Sequence, residues 1–222
     1  MFTITEHILR SNRFRWVACQ LDVLADCIDD EELNDALSSL PKTLYDTYNR
    51  MILHIPPRRK EKAIRILQFL AFSERPLRIE EAVELIAVKP REPQHFDPNS
   101  RMPDPQEITF YCSSLVTVVS TKDYWHDEDN RAVMLQLAHS SVKEYLTSSQ
   151  LDKEIAQNFQ EITARATIAT VCLAYLLYLD REPPTREIVK RFPFVQYSTR
   201  YWISNAAVAE SCLLYTSDAA DE

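Results

Sequence analysis

The sequence predicts a mainly α fold with one small β hairpin set among helices. Two patterns predict it. Apolar residues recur at spacings of three and four over most of the chain, and that period gives way to alternation over residues 115–137. A third observation narrows the chemistry: the 222 residues include no glycine, where average usage would supply about fifteen. A P-loop, a dinucleotide-binding turn and a G-x-S-x-G nucleophile elbow each need glycine where the backbone turns tightly or approaches a ligand. Enzymes recognisable by those motifs are therefore excluded.

Residues 14–27 read as the first helix, with Trp16, Val17, Gln20, Leu21 and Leu24 on one face. Residues 31–40 make a short second helix, Pro41 interrupts, and 43–55 resume with Leu44, Tyr48, Met51, Ile52 and Ile55 as a stripe. Pro56-Pro57 ends that helix, because neither proline donates a backbone hydrogen bond. Residues 58–72 form an amphipathic helix burying Ala63, Ile64, Leu67, Leu70 and Ala71. A turn at Arg75-Pro76-Leu77 leads to a helix over 79–88, with Ile79, Val83 and Ile86 inward. Five prolines make 89–105 a loop, and 107–113 a short helix. The β-branched runs 115–120 and 132–137, joined by polar residues 122–130, form a hairpin with a long loop. Helix returns at 140–148 and, long and apolar, at 155–179; shorter helices follow at 186–191 and 195–210.

Three helices followed by a two-stranded hairpin, near residues 58–138, is the order of a winged helix. The expected organisation is a helical segment over 1–55, a winged-helix domain over 56–150, and a second helical segment over 151–211. Residues 212–222, CLLYTSDAADE, resemble a translated sequencing adapter and are expected to be a disordered, non-native tail. The formal charge of −8 argues against a broad surface for nucleic acid or anionic membrane. Five cysteines without C-x-x-C spacing read as reduced, mostly buried thiols of a cytoplasmic protein. The N-terminus lacks a signal peptide's basic start and apolar stretch. The longest apolar run, residues 168–179, is short of the roughly 20 needed to span a bilayer and reads as a core helix.

Six strings in order carry a family resemblance: RFRWVACQLD at 13–22, LPKTL at 40–44 with Tyr48, IRILQFLAF at 64–72, CSSLVTV at 112–118, LAHSSVKEYL at 137–146, and RYW at 200–202. Together they resemble the region after the nucleotide-binding core in fungal NACHT proteins of the STAND (NOD-like) class of signal-transduction ATPases. The middle portion resembles the GPI inositol-deacylase winged-helix domain, whose name implies no deacylase chemistry here. The resemblance implies an upstream NACHT ATPase domain and a downstream repeat array, often ankyrin, as this segment's partners. It also implies a homo-oligomer on activation, and ADP or ATP with Mg bound by the parent rather than by this segment. Two departures stand out. Asn12-Arg13 occupies the place where the family often has glycine, and Arg78 stands where a capping threonine or serine is usual.

His139 is the candidate site residue. It lies where the second wing strand passes into a helix starting at Ser140, beside unpaired backbone N–H groups that favour an anion. The residue's position alone favours a histidine that merely caps or packs at the junction; the resemblance implies instead that it contacts the phosphates of ADP in the parent's closed state. Ser140 and Ser141 read as helix caps rather than nucleophiles. His7, His54, His95 and His126 are scattered, with no metal-ligand spacing. Glu80 and Glu81 complement a helix dipole, and the basic residues Arg58, Arg59, Lys60, Lys62 and Arg65 read as a solvated helix start.

A winged helix raises DNA binding as a rival. However, residues 107–113 carry no lysine or arginine, and the wing loop has Lys122 against Asp123, Asp127, Glu128 and Asp129. The expected function is therefore a non-catalytic regulatory segment that docks within a NACHT-type ATPase and helps hold its ADP-bound, inactive state. The alternatives are a nucleic-acid-binding winged helix or a plain interaction scaffold. The segment by itself is expected to bind no cofactor, metal, nucleic acid or membrane.

Overall fold

A computed structural model describes residues 4–122, 131–180 and 187–218. Its helices are α1 (Ile4–Ala25), α2 (Asp30–Ser38), α3 (Leu44–Leu53), α4 (Pro57–Phe72), α5 (Ile79–Ala87), α6 (Ser140–Leu146), α7 (Lys153–Ala156), α8 (Glu161–Leu179), α9 (Ile188–Arg191) and α10 (Val195–Asp218). The strands are β1 (Leu77–Arg78), β2 (Val116–Lys122) and β3 (Arg131–Leu137), forming an antiparallel sheet in the order β1-β3-β2. This is a mainly α winged helix with a small sheet, as the periodicity predicts. The wing loop, 123–130, lies outside the described residues.

Local chemistry sets the helix starts. Asp29 accepts the Glu32 amide at 2.8 Å while Glu32 accepts that of Ile28 at 3.0 Å, and Thr43 accepts the Asp46 amide at 3.0 Å. Arg78 has no acceptor to offer at the start of α5. The Glu81 carboxylate reaches back instead and accepts the Arg78 amide at 2.8 Å. Asn12 lies within continuous α1, so no left-handed turn is needed there; the one described residue at positive φ is His95, at 57°.

The core runs from α1 to α10, with α4 and α5 central. The expected inward residues of α5 are all buried, as are Arg65, Gln68 and Phe69 of α4, so α4 is enclosed on several sides. Arg65 is not solvated: its guanidinium donates to the Val88 carbonyl at 2.6 Å and satisfies the C-terminal end of α5. Phe69, Phe194 and Tyr197 pack with centroids 5.3–6.0 Å apart, joining α4 to α10.

Three expectations need correction, and the reading of the long apolar run as a core helix is upheld. The short sheet gains a third strand, because Leu77 and Arg78 pair with Leu135 and Met134. The long helix over 155–179 breaks into α7, a 3₁₀ turn and α8, where the Asn158 carbonyl accepts from Gln68 at 2.7 Å. α8 is long and apolar enough to cross a membrane by length and composition, yet it packs Ile168, Val171, Cys172 and Tyr175 into the core. Finally, α10 continues to Asp218, through much of the adapter-like stretch. That stretch has no proline or glycine to stop a helix already nucleated, and adding a residue to such a helix costs little.

Candidate functional site

β3 ends at Leu137, and the Ala138 amide extends the sheet by donating to the Leu115 carbonyl at 3.0 Å. His139 follows in extended conformation (φ −158°, ψ 152°) and is itself the N-cap of α6. The serines expected to cap do not. Ser140 is exposed, and the Ser141 amide donates to His139 Nδ1 at 3.2 Å.

That bond settles the imidazole's tautomer. A nitrogen accepting from an amide carries no hydrogen, so the neutral ring holds its hydrogen on Nε2. Ser141 Oγ lies 2.7 Å from the same Nδ1, and Tyr48 Oη lies 2.8 Å from Ser141 Oγ. One direction satisfies all three groups: the Tyr48 hydroxyl donates to Ser141, and the Ser141 hydroxyl donates to His139. Both Tyr48 and Ser141 are 0% exposed. The Ser–His pair therefore forms, but its oxygen cannot meet a substrate, so the contact orients the imidazole rather than arming a nucleophile.

Neighbouring helices hold this chain in place. Burial raises the Tyr48 hydroxyl above its usual range, with Ser141 and Arg15 of α1 opposing that shift. Arg15 also donates to the Ser114 carbonyl, and Gln20 Nε2 donates to Thr47 Oγ1 at 3.0 Å. On the far side of α6, Tyr145 donates to Asn49 Oδ1 at 3.1 Å, and burial pushes its hydroxyl up to about 12. Helices α1, α3 and α6 thus converge on one histidine and fix its ring hydrogen on Nε2.

Two further sites were not legible as such. Glu81 and Glu84 of α5 are 1% and 3% exposed, so they do far more than complement a dipole. Arg75 grips Glu81 through two bonds of 2.8 and 2.6 Å and stacks over Tyr197 and Tyr201. Glu84 accepts from Arg101 and from the buried Tyr175 hydroxyl, while Arg101 stacks on Phe96 and Phe192. The available signal was two carboxylates flanked by Ala82, Val83, Leu85, Ile86 and Ala87. The second site is a ridge on α1. Of the residues at helical spacing there, Gln20 is buried, as is Cys19, but Val17 and Leu21 are exposed beside Phe14 at 76%.

The element in the place of a DNA-reading helix is a 3₁₀ helix, Pro105–Tyr111, which carries Glu107 and no basic residue. Among the described residues, no three of His, Cys, Asp and Glu gather as a metal site requires.

Comparison with known proteins gives two matches. The family model described as "GPI inositol-deacylase, winged helix domain" matches residues 48–158. The "Azaphilone pigments biosynthesis cluster protein L" of Monascus ruber is 31% identical over 178 residues, covering 78% of this chain. The chain spans 37% of that relative's length. No solved structure matches.

Proposed function

Because the chain belongs to the family of the GPI inositol-deacylase winged helix domain, we propose that it is the non-catalytic regulatory and docking segment of a longer NACHT-type signalling ATPase. In this reading it packs against that protein's own nucleotide-binding core, holds it in the inactive ADP-bound state, and passes signals from downstream repeats to homo-oligomerisation in the cytoplasm. The observation that carries the reading is the α1 ridge. Phe14, Val17 and Leu21 are 76%, 45% and 59% exposed at helical spacing, and Ile28 follows at 87%. Apolar surface left in water costs about 25 cal/mol per Å², so a contiguous ridge of this kind favours a covering partner. The curated relative, well over twice as long as the matched region, is consistent with such a partner within one chain.

His139 supports the same reading. Its Nδ1 is committed to Ser141, so its ring hydrogen is on the other nitrogen, as donation to a phosphate oxygen requires. The residues fit one such contact and no more, since the chain has no glycine with which to build a phosphate cradle. A nucleoside diphosphate with Mg, when bound by the core, would supply charged oxygens as acceptors. A hydrogen bond to a charged group is worth about 1.5–3 kcal/mol. If that bond exists only in the closed state, His139→Ala in the parent should speed ADP release roughly ten- to a hundredfold and raise the oligomeric fraction without ligand. Leu21→Asp should loosen the same state by spoiling the ridge. ADP retention and monomer fraction unchanged in both variants would overturn the reading.

A further inference from the structure

A cavity of about 300 Å³ opens between the start of α4, the end of α5 and the 3₁₀ helix Pro105–Tyr111. Its apolar lining includes Ile86, Met102, Phe110 and Tyr111, and two cations, Arg59 and Lys62, stand at its edge. The cations are held by the cavity's own walls: Arg59 donates to the Phe110 carbonyl at 3.4 Å, and Lys62 lies 5.9 Å from the Tyr111 ring centre. Among the described residues neither belongs to an ion pair, whereas Lys60 pairs with Glu154 and Arg65 with Glu61. Arg58 next to them is exposed and extends the positive rim. Phe110, an aromatic ring 65% exposed, stands at the mouth.

We infer that this cavity is a docking site for an acidic peptide segment of a partner protein, one that inserts a single apolar side chain between flanking carboxylates. The volume sits at the low end for ligand pockets and suits one such side chain. Exposed Phe110 and Pro103 carry the apolar surface past the opening, where the peptide's neighbouring residues would lie. Arg59 and Lys62 supply the charge complement for its carboxylates. A nucleic-acid backbone matches less well. Glu107 also lines the cavity, the 3₁₀ helix has no basic residue, and a phosphate chain would leave the apolar lining unfilled. This inference is independent of the α1 ridge and of His139.

The test is fluorescence anisotropy of the whole chain with a labelled acetyl-Asp-Glu-Phe-Asp-Glu peptide. Saturable binding is expected, weakening as salt rises because surface charge pairs are screened. Substituting the probe's Phe by Ala, or its acids by their amides, should each weaken binding by about tenfold, roughly 1.4 kcal/mol. Arg59→Ala, Lys62→Ala and Phe110→Ala should each do the same while leaving the melting temperature unchanged. The proposal fails if the Phe probe binds no tighter than its Ala or amide counterparts. It fails equally if the Arg59→Ala/Lys62→Ala protein binds the probe as well as wild type, or if a DNA duplex displaces the probe at equal concentration.

Discussion

Replacing Ser141 by alanine tests the hydrogen-bond chain that orients His139. Ser141 and Tyr48 are both 0% exposed, so the substitution removes the acceptor of a phenol that water cannot reach. An unsatisfied buried donor costs about 1–3 kcal/mol. The Ser141 amide is untouched and still donates to His139 Nδ1, so the helix cap survives. Tyr48→Phe acts differently. It removes the phenol and leaves the Ser141 hydroxyl donating to His139, at the cost of the bonds that Tyr48 makes to Ser141 and Arg15, about 1 kcal/mol each. Arg15 keeps its bond to the Ser114 carbonyl in that variant. In Ser141→Ala/Tyr48→Phe the orphaned phenol no longer exists, so the pair should cost clearly less than the two single losses added. For a chain of this length a loss near 2 kcal/mol lowers the melting temperature by roughly 4–8 °C. Urea titration of the wild type and the three variants measures the cycle, and imidazole ¹⁵N shifts report the His139 tautomer, expected to stay Nε2–H throughout. Additive losses, or a Ser141→Ala protein as stable as wild type, would refute the chain.

The buried carboxylate Glu84 gives a sharper contrast. Glu84→Ala strands Arg101 and the buried Tyr175 hydroxyl and should cost about 3–5 kcal/mol, whereas Glu84→Gln keeps an acceptor and should cost clearly less; equal losses in urea titration would count against the pairing. Alkali should also unfold the protein. Burial holds Tyr145 up to about 12 and raises Tyr48, Tyr175 and Tyr197 as well, so their neutral forms belong to the fold. Stability is then full below the unfolded tyrosine value near 10 and is lost as pH rises through about 12; a urea midpoint flat across that range would contradict it. Burial likewise pushes the Cys172 thiol up to about 12 and Cys112 higher still, so in the native protein iodoacetamide should label half-buried Cys27 before either of them. Equal labelling rates would show the core to be open.

How much of this was legible in the sequence depends on the range of the forces involved. The helices of the winged-helix region and the hairpin were legible because burying one face imposes a period of 3.6 or 2 on the residues themselves. β1 was not: two residues, Leu77 and Arg78, become a strand only because Leu135 and Met134 stand beside them. The break before α8 carries no proline or glycine, and α4 meets the turn there across 90 residues of chain. On α1 the period gave the apolar spacing but not which residues the core would take: Gln20 is buried and Trp16 packs on the core, while Val17 and Leu21 stay exposed. For His139 the sequence supplied the position and the strand-to-helix junction. Its tautomer needed Tyr48, which lies 93 residues from Ser141.

Glu81 and Glu84 also decide how force can pass through the protein. Both lie on α5, three residues apart, and each is bound on a different side: Glu81 through Arg75 to Tyr197 and Tyr201 of α10, Glu84 to Tyr175 of α8 and through Arg101 to Phe192. Meanwhile Phe69 of α4 packs directly on Phe194 and Tyr197. A pull on α10 therefore reaches α4 and α5 at once. A close-packed interior transmits such a strain instead of absorbing it, and carboxylates buried this deeply cannot let go of their arginines without a large desolvation cost. β1 follows α4 directly and pairs with β3, and β3 ends two residues before His139. Packed contacts and paired strands thus run without a gap from the β3 end beside His139, through β1, α5 and α4, to α10.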